Sequence, residues 1–269
     1  MTMNDPAIEI INVSAVSHRA NAPALLFIHG AYAAAWCWNQ GFMSYLAESG
    51  YDCYALSLRG HGGSGGHEVL SLASLDDFQR DIAKAIEQIA RPVVLIGHSM
   101  GGFLAMRHAR QHPVAGLACL APVPPEGLIG STLHLMCWHP ALLLELNCVQ
   151  YAGQAPQLSK LRDLLFSSDL PDERLLAFAR QFQRESDRAI LDLSMQAMSY
   201  LWTACQRPQC PSIVLGGGDD VLMPAHQIHS AACALGVRAE FISGVAHVMM
   251  LDMRWQRVAE RLKVWLEAL

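Results

Sequence analysis

Short apolar runs alternate with segments of helical periodicity along most of the chain. Apolar residues recur at helical spacing in the segments 43–49, 75–90 and 255–266. The apolar runs between the helical segments are typical of buried strands, and they cover residues 24–28, 52–57, 93–96, 114–120, 212–216 and 238–242. This alternation predicts an α/β fold in which helices cover a mostly parallel sheet.

The alternation stops between residues 123 and 207. The stretch APVPP at residues 121–125 ends it, and no convincing strand pattern follows before residue 212. Helical segments are expected there instead, at residues 133–147, 159–167, 172–186 and 187–205. The simplest interpretation is one core domain formed by residues 1–122 and 208–269, with a helical lid of residues 123–207 inserted into it.

Composition and charge exclude several classes of protein. Of the 269 residues, 52% are apolar and 16% are charged, which is typical of a compact globular chain and not of a disordered one. The formal charge is −5 and the basic residues are scattered, so no nucleic-acid surface is expected. The most apolar window, residues 128–149, is interrupted by His, Pro, Glu and Asn, which excludes a membrane span there.

The cysteine and histidine spacings do not indicate a metal site. None of the eight cysteines forms a CxxC pair, and we interpret them as reduced thiols. His61 and His67 lack a third ligand at metal spacing. With no secretory signal visible at the N-terminus, we expect a cytoplasmic protein that uses neither a metal nor another cofactor.

One serine stands among glycines between a predicted strand and a predicted helix. The stretch LIGHSMGGFLA contains Gly97-x-Ser99-x-Gly101. In a strand–turn–helix context this motif is typical of a nucleophile elbow, where small neighbours let strand and helix approach and the turn exposes the hydroxyl. The alternative is a glycine-rich turn with an incidental serine. We favour the nucleophile because of the context.

A serine nucleophile needs a base that takes its proton and an acid that orients the base. The acid candidates are Asp219 and Asp220, in the loop after the strand 212–216. The base candidate is His247, which follows the strand 238–242. Both loops lie at carboxyl ends of strands, where open α/β sheets hold their sites. The alternative for the two aspartates is that they are ordinary turn residues.

Five short motifs, in this order, resemble those of the α/β-hydrolase superfamily over nearly the whole chain. They are His29-Gly30, the loop SLRGHG at residues 57–62, the elbow, the acidic loop that ends at Pro224, and Ala246-His247 before the last helix. Ser57 stands where the family usually has Asp, and Ala246 where it usually has Gly. The loop and the elbow are similar to those of bacterial esterases and of lysophospholipase and monoacylglycerol lipase relatives.

The resemblance implies a role for each matched residue. Ser99 would be the nucleophile and His247 the general base, and the family's D-x-x-x-P spacing favours Asp220 over Asp219 as the acid. The oxyanion hole would be formed by the backbone N–H groups of Ala31 and Met100, with His29 bracing the loop that carries Ala31. An insertion at this place forms a lid in family members. We therefore expect a substrate pocket lined by Met136, Trp138 and Leu142 of the insertion and by Tyr32 and His98, which lie close to the oxyanion loop and the serine in sequence.

The resulting hypothesis is a serine hydrolase that cleaves a small or medium hydrophobic ester, or a thioester, through an acyl-enzyme. The partner is then a small molecule. One alternative is a lyase or a cofactor-independent oxygenase on the same fold, in which serine and histidine move a substrate proton. Another is a non-catalytic ligand receptor.

Overall fold

The computed structural model describes residues 6–152, 155–196 and 207–269 of the chain. Its strands are β1 (Ile10–Val13), β2 (Ala24–Ile28), β3 (Cys53–Leu56), β4 (Val93–His98), β5 (Gly116–Leu120), β6 (Ser212–Gly217) and β7 (Ala239–Ile242). They form a 7-stranded sheet in the order β1-β3-β2-β4-β5-β6-β7. β1 pairs antiparallel with β3, and the other neighbours pair in parallel. The predicted mostly parallel sheet of an α/β fold is confirmed.

Helices cover both faces of this sheet. In the described part of the chain they are α1 (Phe42–Glu48), α2 (Leu75–Ile89), α3 (Met100–Gln111), α4 (Ile129–Trp138), α5 (Pro140–Ala152), α6 (Leu158–Leu165), α7 (Asp172–Ala179), α8 (Asp187–Ser194), α9 (Ala225–Leu235) and α10 (Trp255–Leu266). Short 3-10 turns lie at Ala35–Cys37 and His67–Leu72. β1 and α9 are elements that the apolar pattern did not reveal.

The central strands are buried on both faces because their side chains alternate between two cores. Leu25 and Phe27 of β2 point into the core on the side of α1 and α10. Leu26 and Ile28 point into the second core, on the side of α2, α3 and α9. This period of two explains why β2 is a continuous apolar run instead of an alternating one.

The described helices α4–α8 lie between β5 and β6, in the segment 123–207. Two expected helices differ from the structure. The helix expected at 133–147 is two helices, because α4 ends at Trp138 and Pro140, which has no N–H to donate, begins α5. The helix expected at 172–186 ends at Ala179 and is followed by a turn at residues 180–181 and by residues 182–186, which form neither helix nor strand. Of the helix expected at 187–205, residues 197–205 lie outside the described residues.

None of the described helices combines the length and the apolar character that crossing a bilayer requires.

Candidate active site

Ser99 occupies a one-residue turn between β4 and α3. Its backbone angles are φ 51° and ψ −117°, a conformation that a residue with a Cβ atom rarely adopts. Such strain costs on the order of 1–3 kcal/mol and persists only where the surroundings hold it. Ser99 N–H donates to Leu120 O at 3.0 Å, and Ser99 O accepts from Val123 N at 3.0 Å. The turn is therefore fixed against β5 and the segment after it.

The glycines around Ser99 are required by close backbone contacts. A Cβ atom on Gly97 would lie 2.2 Å from the carbonyl oxygen of Gly101. A Cβ atom on Gly101 would lie 2.3 Å from the carbonyl oxygen of Ile28. Any other residue at these two positions would push α3 away from β2 and β4, so the glycines let the strand and the helix meet at the serine.

The structure brings Asp220 and His247 into direct contact. Asp220 Oδ2 lies 2.8 Å from His247 Nδ1, and both side chains are buried. Asp220 Oδ1 accepts from the N–H groups of Leu222 and Met223 at 2.9 and 2.8 Å, which fixes the carboxylate. Asp219, by contrast, is exposed. The geometry thus puts Asp220, and not its neighbour, beside the histidine.

Ser99 and His247 line the same cavity. With Nδ1 facing Asp220, His247 Nε2 is the ring nitrogen left to face a substrate or the serine. No hydrogen bond joins Ser99 Oγ to His247 within the described residues, and catalytic hydrogen bonds of ligand-free enzymes are often long. The backbone of His247 is held separately, because its carbonyl oxygen accepts from His98 Nε2 at 2.9 Å.

His98 is a neutral, buried histidine. Burial holds its pKa well below the ordinary value, and the neighbouring His247 lowers it further. A neutral ring has a single N–H, and that proton sits on Nε2, where it is donated to the carbonyl of His247. His98 therefore braces the loop that carries His247 as well as lining the cavity.

The two expected oxyanion donors flank Ser99. Met100 is the first residue of α3, so its N–H has no acceptor within the helix. Ala31 lies in the loop after β2 and lines the cavity with Ser99. The preceding Gly30 packs so closely that a Cβ atom there would lie 2.7 Å from His98 Nδ1 and 3.0 Å from Ser99 Cβ. Only glycine lets this loop approach the serine.

The side chain of His29 ties the loop that carries Ala31 to the loop after β3. Its Nδ1 donates to Gly30 O at 2.8 Å, and its Nε2 accepts from Leu58 N at 3.1 Å. Burial, with a further contribution from nearby His61, lowers the pKa of His29 to about 3, so the ring is neutral and has one donor and one acceptor.

The cavity has a volume of about 420 Å³ and lies between the carboxyl edge of the sheet and helices α5–α7. Its walls are mostly apolar and come from both sides: Ala33, Leu222, Val248 and Met250 from the loops after β2, β6 and β7, and Leu146, Val149, Leu161, Leu164, Leu165 and Phe182 from α5, α6 and the segment after α7. Its charged lining includes Lys160, which pairs with Glu145 at 3.0 Å, and the exposed Arg184.

The expected pocket residues divide into two groups. Tyr32 and His98 line the cavity. Met136 and Trp138 do not: their side chains are 53% and 75% exposed, because α4 turns them outward before the break at Pro140. Leu142 is 8% exposed but packs in a small cluster with Leu135 and Leu164 instead of facing the cavity. The α5 residues that do face it are one and two turns further along the helix.

The sequence did not reveal how Ser57 is accommodated where the family usually has Asp. Ser57 Oγ donates to Glu9 Oε2 at 2.5 Å and accepts from Ala35 N at 3.0 Å. Glu9 Oε2 also accepts from Gly63 N at 2.9 Å. Glu9, next to β1, thus supplies a carboxylate to this loop from a distant part of the chain.

The described residues contain no group of three or more His, Cys, Asp or Glu side chains arranged to hold a metal ion.

Comparison with known proteins adds the family. The sequence matches the Alpha/beta hydrolase family over residues 25–261. It is 27% identical over 224 residues to the sn-1-specific diacylglycerol lipase ABHD11 of Mus musculus, covering 77% of this chain and 69% of that protein. It is 26% identical over 259 residues to the uncharacterized protein Rv2715 of Mycobacterium tuberculosis, covering 86% of this chain and 72% of that protein.

Among solved structures, a thermophilic esterase from Thermogutta terrifontis matches with a TM-score of 0.73 at 17% identity, over 97% of this chain and 93% of that one. At this identity the likeness is one of fold. The family match shows more than a shared fold. It is a match of sequence that runs from β2 to α10 and includes the elbow, the acidic loop and the final histidine. The chain belongs to the alpha/beta hydrolase family.

Proposed function

We propose that the protein is a serine hydrolase that cleaves a carboxylic ester, or a thioester, of a small to medium hydrophobic compound through an acyl-enzyme. The observation that carries the proposal is that a serine in a strained turn and a histidine line one cavity, while a buried carboxylate lies 2.8 Å from that histidine. Membership of a hydrolase family supports the same class of reaction.

In this mechanism His247 Nε2 takes the proton of Ser99 as Oγ attacks the carbonyl carbon. Asp220 accepts the hydrogen bond from Nδ1–H and stabilises the imidazolium that forms. The negative charge on the carbonyl oxygen is stabilised by N–H groups of Ala31 and Met100, each worth about 2.7–4 kcal/mol in the transition state. The alcohol leaves with the proton from His247, and water then releases the acid by the same steps.

The walls of the cavity favour an apolar substrate. Burying hydrocarbon against them contributes about 25 cal/mol per Å² of apolar surface. Because α5, α6 and α7 supply one side of the cavity, we further propose that the segment 123–207 acts as a lid over the site.

The first test is covalent labelling with a fluorophosphonate, read by intact mass. The wild-type protein should take up one label, and Ser99→Ala should take up none and lose more than about 10⁴-fold in turnover of p-nitrophenyl esters. Ser131→Ala is the matched control, because Ser131 is a buried serine of α4 whose hydroxyl donates to Leu128 O, just before that helix. It should label like the wild type.

Absence of labelling in folded wild-type protein would contradict the acyl-enzyme. Proton-transfer chemistry and ligand binding would then be the classes to examine, through a lyase assay and a ligand-binding screen. A panel of thioesters run beside the oxygen esters distinguishes the two acyl donors.

A further inference from the structure

The segment of residues 182–186 between α7 and α8, which forms neither helix nor strand, crosses the loop that carries Ala31. We call this segment the strap. Gln183 N donates to Tyr32 O at 2.9 Å, and Tyr32 N donates to Glu185 Oε2 at 3.2 Å. Both backbone polar groups of Tyr32 are therefore bound by a segment more than 150 residues away in sequence.

Tyr32 needs such support because its backbone is strained. Its φ is 65°, in the left-handed region that favours glycine. The peptide between Ala31 and Tyr32 is planar, so whatever holds Tyr32 N–H also fixes the carboxyl side of Ala31. The other side is fixed by Gly30, which packs on His98 and Ser99. The orientation of Ala31 N–H thus depends on the strap at one end and on the elbow at the other.

The carboxylate of Glu185 that binds Tyr32 N–H is a fully buried charge. The side chains of Glu185 and His61 are both 0% exposed, and Glu185 Oε2 lies 3.2 Å from His61 Nε2. The other nitrogen of His61 donates to Arg59 O at 3.0 Å. Both nitrogens of His61 therefore face acceptors, as a protonated imidazole requires. Glu185 Oε1 accepts from Ser186 N at 2.6 Å, so each oxygen of the carboxylate receives an N–H.

The charges of this pair support each other. Burial by itself would lower the pKa of His61, but the Glu185 carboxylate raises it above the ordinary value. Burial would likewise raise the pKa of Glu185, and the His61 charge holds it below its ordinary value. Replacing a buried ion pair by apolar residues is often neutral or stabilising, so stability alone is a weak reason for one here. The contact of Glu185 with Tyr32, in the loop that carries Ala31, supplies another reason for a buried ion pair at this position.

The strap is itself held at both ends. Ser186 Oγ donates to Ala73 O at 2.5 Å and accepts from Ala189 N at 3.1 Å, which starts α8. The ring of Phe182 packs 5.7 Å from that of Trp36. Glu185 is therefore presented from a fixed backbone.

We propose that Glu185, paired with His61, is a positioning residue that holds the Ala31–Tyr32 peptide so that Ala31 N–H faces the oxyanion. This inference rests on the proposed hydrolase function and deepens it. The inserted segment then contributes to stabilising the transition state as well as to the cavity wall.

Glu185→Gln isolates this role. The glutamine has the shape of the glutamate, and its oxygen can accept from Ser186 N while its NH₂ donates to a neutral His61. No oxygen is then left for Tyr32 N–H. Because the oxyanion interaction exists only in the transition state, kcat and kcat/KM for p-nitrophenyl butyrate should fall together, by about 10²-fold, with KM nearly unchanged. The inhibition constant of an aliphatic trifluoromethyl ketone, whose adduct carries an oxyanion, should rise in parallel.

Glu185→Asp keeps the carboxylate but draws it back by one methylene, so its kcat should lie between those of the wild type and Glu185→Gln. If the glutamine variant does not fold, the fall in kcat of the aspartate variant at constant KM decides the question. Asp52→Asn is the control for lost stability. Asp52 is a buried carboxylate that binds Ala15 N and Arg91 just before β3, at the opposite edge of the sheet. It should lower the melting temperature and leave kcat unchanged.

Three outcomes separate the proposals. Wild-type protein that hydrolyses the ester, with Glu185→Gln or Glu185→Asp showing an unchanged kcat and inhibition constant, overturns the positioning role alone. A loss of kcat in Asp52→Asn as large as that in Glu185→Gln also overturns it, since the effect would then follow stability. Folded wild-type protein with neither turnover nor labelling overturns the hydrolase function and the inference with it.

Discussion

Asp219 and Asp220 are adjacent in the chain but differ in every contact that matters for catalysis. Asp220 is buried, receives two backbone N–H groups and lies against His247, whereas Asp219 is exposed. Adjacent residues point in different directions, so a single position in the loop decides which carboxylate can orient the histidine.

This difference gives a paired prediction. Asp220→Asn would place an NH₂ or a neutral carbonyl against His247 Nδ1. The preference for the tautomer with the proton on Nδ1, which leaves Nε2 free to take a proton, would then be weaker. We expect a loss of about 10⁴-fold in kcat, measured by ester hydrolysis. Asp219→Asn makes the same chemical change at the neighbouring position and should retain the wild-type rate. Equal losses in the two variants would contradict the assignment of Asp220.

At the scale of elements, the strap joins two loops that are far from it in sequence. His61 belongs to the loop after β3, Tyr32 to the loop after β2, and Glu185 to the segment between α7 and α8. The groups facing His61 are the Glu185 carboxylate, the ring of His29, Arg59 O and the more distant Asp81 carboxylate. His29, with a pKa of about 3, stays neutral above acidic pH and adds no charge to this cluster.

The pair makes folding stability depend on pH. The raised pKa of His61 means that its contribution is complete below the ordinary histidine pKa, about 6.5, and is lost as pH rises through the raised value. The lowered pKa of Glu185 means that its contribution is complete above the ordinary glutamate pKa, about 4.3, and is lost as pH falls through the lowered value.

We therefore expect the free energy of unfolding of the wild type to exceed that of Glu185→Gln most between about pH 4.5 and 6.5. The difference should be about 3–5 kcal/mol there, the cost of breaking a buried pair, and should shrink towards alkaline pH. Urea denaturation of both proteins from pH 5 to pH 10 measures it. A difference that stays constant over this range would show that His61 does not change its charge.

At the scale of the molecule, the cavity lies where helices α5–α7 meet the loops at the carboxyl edge of the sheet. Val149 of α5 and Leu161 of α6 form one side of it, and Val248 and Met250, which follow β7, belong to the other. The substrate that fits is decided by how these two parts pack together.

Filling the cavity should shorten the accepted chain. Val149→Trp adds a large ring to the wall, so kcat/KM for p-nitrophenyl octanoate should fall by more than about 10-fold, while that for the acetate changes little. Leu144→Trp is the matched control, since Leu144 lies on the same helix and is 62% exposed. A uniform loss across all chain lengths in Val149→Trp would contradict a role in selecting the acyl chain.

Much of the architecture follows from local pattern. The alternation of buried strands and amphipathic helices was visible because each element shows its own period, as in β2 and α10. The break at residue 121 was visible because prolines interrupt both periods. β1 was missed because it is a short edge strand with mixed burial, and the division of α4 from α5 because both helices are rich in leucine.

The sequence by itself determined the six parallel strands β2–β7, the glycine-lined turn at Ser99 and the two loops that carry Asp220 and His247. These depend on neighbouring residues, so a local reading finds them. The contact of Glu185 with His61 spans 124 positions and its contact with Tyr32 spans 153. Only the tertiary structure decided these contacts and the cavity wall, because burial and partner are properties of the packed chain and not of any one segment.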